Sequence, residues 1–84
     1  MADWGIAVII PCFRCSRHVL DVLASVGKEV RRIYVVDDCC PEGTGRLVQQ
    51  KVSDPRVRVL FNETNLGVGG AVMRGYSAAL EEPE

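Results

Sequence analysis

The chain has 84 residues, 48% of them apolar and 25% charged, with a net charge of −1. That length allows one small domain burying about 60 to 65% of its unfolded surface, and the near-neutral charge excludes a basic field for nucleic acid or anionic lipid. No apolar run approaches the roughly 20 residues of a membrane-spanning helix, and the start MADWG lacks the basic-then-apolar order of a signal peptide, so a cytoplasmic protein is expected.

In chain order, Ile6 to Ile10 (IAVII) is a short apolar, β-branched run and predicts the first strand. Val19, Leu20, Leu23 and Val26 then recur at helical spacing behind Ser16, a candidate N-cap, and predict a helix ending near Gly27. Ile33 to Asp37 (IYVVD) predicts a second strand, buried on both faces and running into adjacent carboxylates, Asp37 and Asp38. Thr44 can cap the next helix, which carries Leu47, Val48 and Val52. Val57 to Phe61 (VRVLF), after the turn-like SDP, predicts the third strand. Val68, Val72, Tyr76 and Leu80 mark one face of a last helix.

The order β-α-β-α-β-α implies right-handed crossovers and a parallel sheet with helices on both faces. Such sheets receive ligands outside the carboxyl ends of their strands. Three loops converge there: PCFRCS, DDCCPEGT and NETNLGVGG. A lone Asp pair reads equally as a solvated turn in which Asp caps the following helix. Asn65 to Ala71 adds small residues and backbone N–H groups opening a helix, which suits the approach of a phosphate. The same glycines also serve a loop that needs positive φ. A dinucleotide fingerprint fits poorly, because Val72 stands at the third glycine position and the loop follows strand three.

The segments AVIIPCFRCSRHVLDVL, IYVVDDCCPEGT and RVRVLFNETNLGVGGAVMRGYSAAL, in this order and spacing, resemble the first half of the nucleotide-binding domain of family 2 glycosyltransferases, the group that contains dolichyl- and polyprenyl-phosphate sugar synthases. The resemblance implies a partial GT-A, Rossmann-like fold over residues 1–84, the N-terminal nucleotide-binding half of a truncated glycosyltransferase domain. It implies binding of a UDP- or GDP-linked sugar for inverting transfer to an acceptor such as polyprenyl phosphate, with the parent enzyme at the cytoplasmic face of a membrane. Pro11, Cys12, Phe13, Arg14 and Cys15 stand where the family has Pro-x-Tyr-Asn-Glu wrapping base and ribose. Phe13 keeps the aromatic body without the hydroxyl, and Arg14 and Cys15 replace the amide and carboxylate. By resemblance Asp38 accepts a hydrogen bond from a base N–H, Asp37 supports the loop, and Asn65, Gly67 and Gly69 shape the floor of the pocket. Arg74 is either a phosphate partner or part of a solvated helix face.

The family's Asp-x-Asp motif, which holds a divalent Mg or Mn on the sugar diphosphate, does not occur here. The chain ends at Glu84, before that motif and the catalytic base are expected. No catalytic residue and no bound metal are therefore expected in these residues, which alone should be inactive. The family's sheet runs three, two, one, with a later strand beside strand one. Without that strand IAVII is an uncharged edge, and a homodimer or larger assembly through it is expected.

The four cysteines support an alternative of another class. Cys12-Phe13-Arg14-Cys15 is a C-x-x-C between a strand and a helix, the placement of redox thiols. Cys39 and Cys40 end the neighbouring strand, so all four sulfurs could approach a zinc ion. The plainer expectation is four reduced small residues in tight loops. His18, the single histidine, is expected to be an exposed helical residue.

Overall fold

The structure, a computed structural model, describes residues 6–13 and 18–81. Its elements follow the predicted alternation: β1 Ile6–Cys12, α1 Val19–Ala24, β2 Val30–Asp37, α2 Thr44–Lys51, β3 Val57–Phe61 and α3 Gly67–Glu81. The strands form one parallel sheet in the order β1-β2-β3. β2, the most buried strand, takes the centre, where both of its faces are covered.

The two-residue period of β2 decides which side chains meet which helices. Ile33 and Val35 point to one face and join a core with Cys12, Val19, Leu23, Val30 and Val48, so α1 and α2 cover that side. Tyr34 and Val36, also buried, point to the opposite face, which α3 covers. There the helix passes so close to the sheet that a Cβ on Gly75 would stand 2.6 Å from Ile9 Cγ2 and 3.2 Å from Val36 Cγ2. Only small residues fit that inner face, and Ala71 and Gly75 are its buried members.

The expected apolar face of α3 therefore turns outward. Val68, Val72, Tyr76 and Leu80 are all exposed, Leu80 by 70%. Helix α1 also stops short of Gly27. Its end is fixed at Ser25, whose hydroxyl donates to Val22 O at 2.8 Å while its N–H is shared between Asp21 O and Val22 O. Ser16, the candidate cap of α1, lies outside the described residues. Thr44 does not cap α2 but is its first residue, with Gly43 at the N-cap at φ 68° and no side-chain cap from it.

At the end where the strands begin, Arg56 ties the sheet together. Its guanidinium pairs with Asp54 at 2.8 Å and donates to Gly27 O and Val30 O, both at 2.7 Å. Asp54 is held below the ordinary carboxylate range, chiefly by the hydrogen bonds from this Arg56.

Candidate functional site

Helices α1 and α2 share one face and α3 lies on the other, so the chain changes face in the β3–α3 connection, and α3 packs back over β2 and β1, beside the carboxyl ends of these strands. That is where an open α/β sheet receives ligands. A cleft of about 270 Å³ opens there, lined by Pro11, Cys12, Phe13, Asp38, Asn65 and Gly67, with Val68 and Ala71 of α3. A larger cleft of about 380 Å³, which includes Lys51, Val52 and Arg56, belongs to the opposite end of the sheet. Its acid and guanidinium are already spent on each other.

The same two-residue period separates the adjacent aspartates. Asp37 continues the Ile33–Val35 face and Asp38 the Tyr34–Val36 face, so each meets a different helix. Asp37, 5% exposed, accepts from the Cys40 N–H through Oδ1 and from the Gly45 N–H through Oδ2, both at 2.7 Å. Gly45 is the second residue of α2, so Asp37 performs the capping expected of Thr44. The approach requires a glycine, because a Cβ on Gly45 would lie 2.8 Å from Asp37 Oδ2 and 2.6 Å from the Phe61 ring. Asp37 is thus turned away from the cleft.

Asp38, 3% exposed, takes three donors. Oδ1 accepts from Asn62 Nδ2 at 2.9 Å and from the Leu66 N–H at 2.8 Å, and Oδ2 accepts from the Gly67 N–H at 2.9 Å. The Leu66 amide is the largest cause of a carboxyl held below the ordinary aspartate range; the Asn62 amide adds to it, burial opposes it, and Gly67 lowers it further. Each carboxylate oxygen accepts about two hydrogen bonds. Oδ1 is filled by these donors and Oδ2 retains one acceptor position, in a residue that lines the cleft.

The β3–α3 loop does not offer its first amides to a phosphate. Those of Leu66 and Gly67 belong to Asp38, and Gly67 N–H also reaches Asn65 Oδ1 at 2.8 Å. Gly67, at φ 80°, has the left-handed backbone that lets the chain turn under Asp38 into α3. Gly69 is exposed and does not line the cleft. Arg74, exposed on α3, is tied to the end of β3, where its Nη1 donates to Phe61 O and to Asn62 Oδ1. Asn62, buried at the end of β3, was not singled out from the sequence. The available signal is its register, because Asp37 pairs with Phe61 and the next step puts Asp38 beside Asn62.

Phe13, half exposed, provides the aromatic wall of the cleft. Cys12 contributes only its backbone, whose carbonyl accepts the Asp38 N–H at 2.9 Å; its side chain is buried in the core facing α1 and α2. A thiol so buried lacks the access that thiol–disulfide exchange requires. Cys15 and Arg14 lie outside the described residues. Cys39 is exposed at φ 58°, and the Cys40 sulfur lies 3.1 Å from Thr44 Oγ1. Among the described residues no three His, Cys, Asp or Glu side chains converge on a point, and Asp37 and Asp38 face opposite sides of the sheet. These residues do not fit the Mg or Mn ion that the resemblance implies, nor a zinc ion. No helix among them is long and apolar enough to cross a membrane.

Comparison with known proteins agrees with the geometry. Residues 7–82 match the profile described as Glycosyl transferase family 2. The chain is 42% identical over 50 residues to undecaprenyl-phosphate mannosyltransferase of Micrococcus luteus, covering 58% of this chain and 21% of that protein. It is 41% identical over 63 residues to succinoglycan biosynthesis protein ExoO of Rhizobium meliloti, covering 75% of this chain and 18% of that protein. The matches thus span about a fifth of the length of these relatives. With a three-stranded parallel α/β sheet and a family match over nearly its whole length, this chain belongs to glycosyl transferase family 2.

Proposed function

We propose that the cleft between β1, β2 and α3 binds the nucleoside part of a UDP- or GDP-linked sugar, the donor for inverting transfer to a lipid-linked phosphate acceptor of the polyprenyl type. A lipid acceptor would bring the whole protein to a membrane face. The observation that carries the reading is Asp38: a buried carboxylate, kept ionised by neutral amide donors, with an unused acceptor position beside an aromatic wall. A base N–H is the complementary donor, and Phe13 offers a face on which the base can stack. Binding, and not transfer, is the task of these residues. Asp38 orients the base, Phe13 and Pro11 exclude water from one side of it, and the Asn65–Gly67 turn closes the floor.

A redox or zinc-binding module is the competing class, and calorimetry with UDP, GDP and zinc separates the two. Saturable binding of a nucleoside diphosphate, weakened by Phe13→Ala, is the expected result. Zinc binding with no response to either nucleotide would overturn the reading.

A further inference from the structure

We propose that Asn62 is a positioning residue of this site, and that Arg74 sets its orientation. The inference rests on the nucleotide-binding reading above and deepens it. Asn62 is 7% exposed and lies one residue beyond β3. Each polar group of its side chain has one partner: Nδ2 donates to Asp38 Oδ1 at 2.9 Å, and Oδ1 accepts from Arg74 Nη1. Its backbone N–H donates to Asp37 O at 2.8 Å, which fixes the residue against β2.

An asparagine amide presents a donor or an acceptor depending on a half-turn of its last torsion. Here the choice is forced. A guanidinium can only donate, so Arg74 requires the oxygen of Asn62 on its side, and the amide nitrogen is left facing Asp38. An ionised Asp38 can only accept, so the two preferences agree. Arg74 itself is anchored by the Phe61 carbonyl at 3.1 Å. A cation on α3 thus acts on Asp38 through a neutral amide instead of pairing with it. The consequence lies in which lone pairs remain. A direct ion pair would set a cation against the carboxylate, whereas Asn62 shares Oδ1 with the Leu66 N–H and Oδ2 carries the Gly67 N–H alone.

The titratable and charged groups around Asp38 are few among the described residues. Cys12 of β1 borders the cleft with its backbone, Asp37 precedes it on β2 and faces the other way, Glu63 follows Asn62 in the β3–α3 loop, and Arg74 of α3 stands behind Asn62. Asn62 is the neutral link between the one cation of this set and the acid.

Asn62→Asp is the sharpest test, because it keeps shape and the Arg74 contact while setting an acceptor against Asp38. Two readouts are needed. Carbon-13 NMR of the side-chain carboxyls gives the acid midpoint of Asp38 without any ligand, and calorimetry gives UDP and GDP affinity between pH 5 and 8. The expected results are an Asp38 midpoint raised above that of the parent chain and affinity at pH 7 reduced tenfold or more. Arg74→Met should move both readouts in the same direction by less, since it frees the amide to turn over. A residue that served only to hold the fold would lower thermal stability in both variants and leave the Asp38 midpoint in place. That result overturns the proposal, and Arg74→Met supplies it should Asn62→Asp not fold. Failure of the parent chain to bind either nucleotide would sink the nucleotide reading, while the ligand-free titration still decides whether Asn62 positions Asp38.

Discussion

At the end of the sheet where the strands begin, an acid is closed off by a cation: Asp54 meets the Arg56 guanidinium through both oxygens, and the same guanidinium gathers the carbonyls of Gly27, before β2, and Val30, its first residue. At the end where the strands finish, Asp37 and Asp38 are held by amides alone. Both arrangements hold the loops around the sheet. They differ in what is left over. Asp54 and Arg56 have spent their charge on each other, and both are part exposed, so the pair itself is screened and contributes little. The value of Arg56 lies in the carbonyls it collects. Asp38 is held by neutral donors, is nearly inaccessible, borders a cleft, and takes one of these donors on Oδ2 against two on Oδ1. Amide donors thus preserve what an ion pair would consume, and the proposed ligand site lies at the end of the sheet that keeps its charge.

The largest effect expected from breaking that contrast is at Asp38. Asp38→Asn would set an N–H₂ group among three N–H donors, so it removes the ligand acceptor and also loosens the start of α3. Nucleotide affinity should fall tenfold or more, the scale of a lost charge-assisted hydrogen bond, and the melting temperature should fall with it. Calorimetry and thermal unfolding check the two parts. Gly45→Ala comes next. Its Cβ would collide with Asp37 and Phe61, and overpacking of this kind costs about 1 to 3 kcal/mol, measured as a shifted urea midpoint. Because Asp37 faces away from the cleft, affinity per folded molecule should stay within twofold of the parent chain. A large loss of affinity in Gly45→Ala would mean that the two aspartates act as one unit.

Arg56→Met should lower the melting temperature and leave nucleotide affinity unchanged, which separates the two ends directly. The pH response sharpens the separation. Asp38 and Asp54 both titrate below the ordinary aspartate range in the folded chain. A depressed carboxyl contributes stability that is fully present above its unfolded value and is lost as pH falls through the lower folded value. Stability should therefore decline below about pH 4, where unfolded aspartates begin to bind protons. Added salt should weaken the Asp54 contribution and spare that of Asp38, which depends on neutral donors. Acid unfolding of Asp38→Asn and Arg56→Met at low and high salt would show this, and equal salt response in both variants would contradict it.

A smaller effect concerns association. β1 borders the sheet, and Val68, Met73, Tyr76 and Leu80 on α3, which packs against β1, are exposed. We expect concentration-dependent self-association, reduced by Ile6→Lys at the strand edge. Light scattering after size exclusion checks it; a monodisperse monomer at every concentration would contradict it.

Much of this was legible in the residues. The short apolar, β-branched runs located all three strands, β2 through the unbroken run that burial on both faces needs, and β3 was bounded to the residue. The Asp pair was legible as a pair at a ligand-receiving edge. Its division between two helices was hidden, although the period of two contained it, since that required knowing which helix covers which face. The inner face of α3 misled for a related reason. Large residues at helical spacing normally mark a core, but the close crossing at Gly75 inverts the rule and leaves Ala71 and Gly75 inside. Asn62 escaped because its importance comes from register with β2 and from Arg74 on another element, and neither is local in sequence.

The most direct test of the central claim is a nitrogen-15 NMR titration of the chain with UDP and GDP, following backbone amides at both ends of the sheet. One nucleotide should shift the amides of Phe13, Asp38, Leu66, Gly67 and Val68 saturably, while those of Gly27, Val30 and Arg56 stay in place. Shifts confined to the Arg56 end, or no saturable shift around Asp38 with either nucleotide, would contradict it.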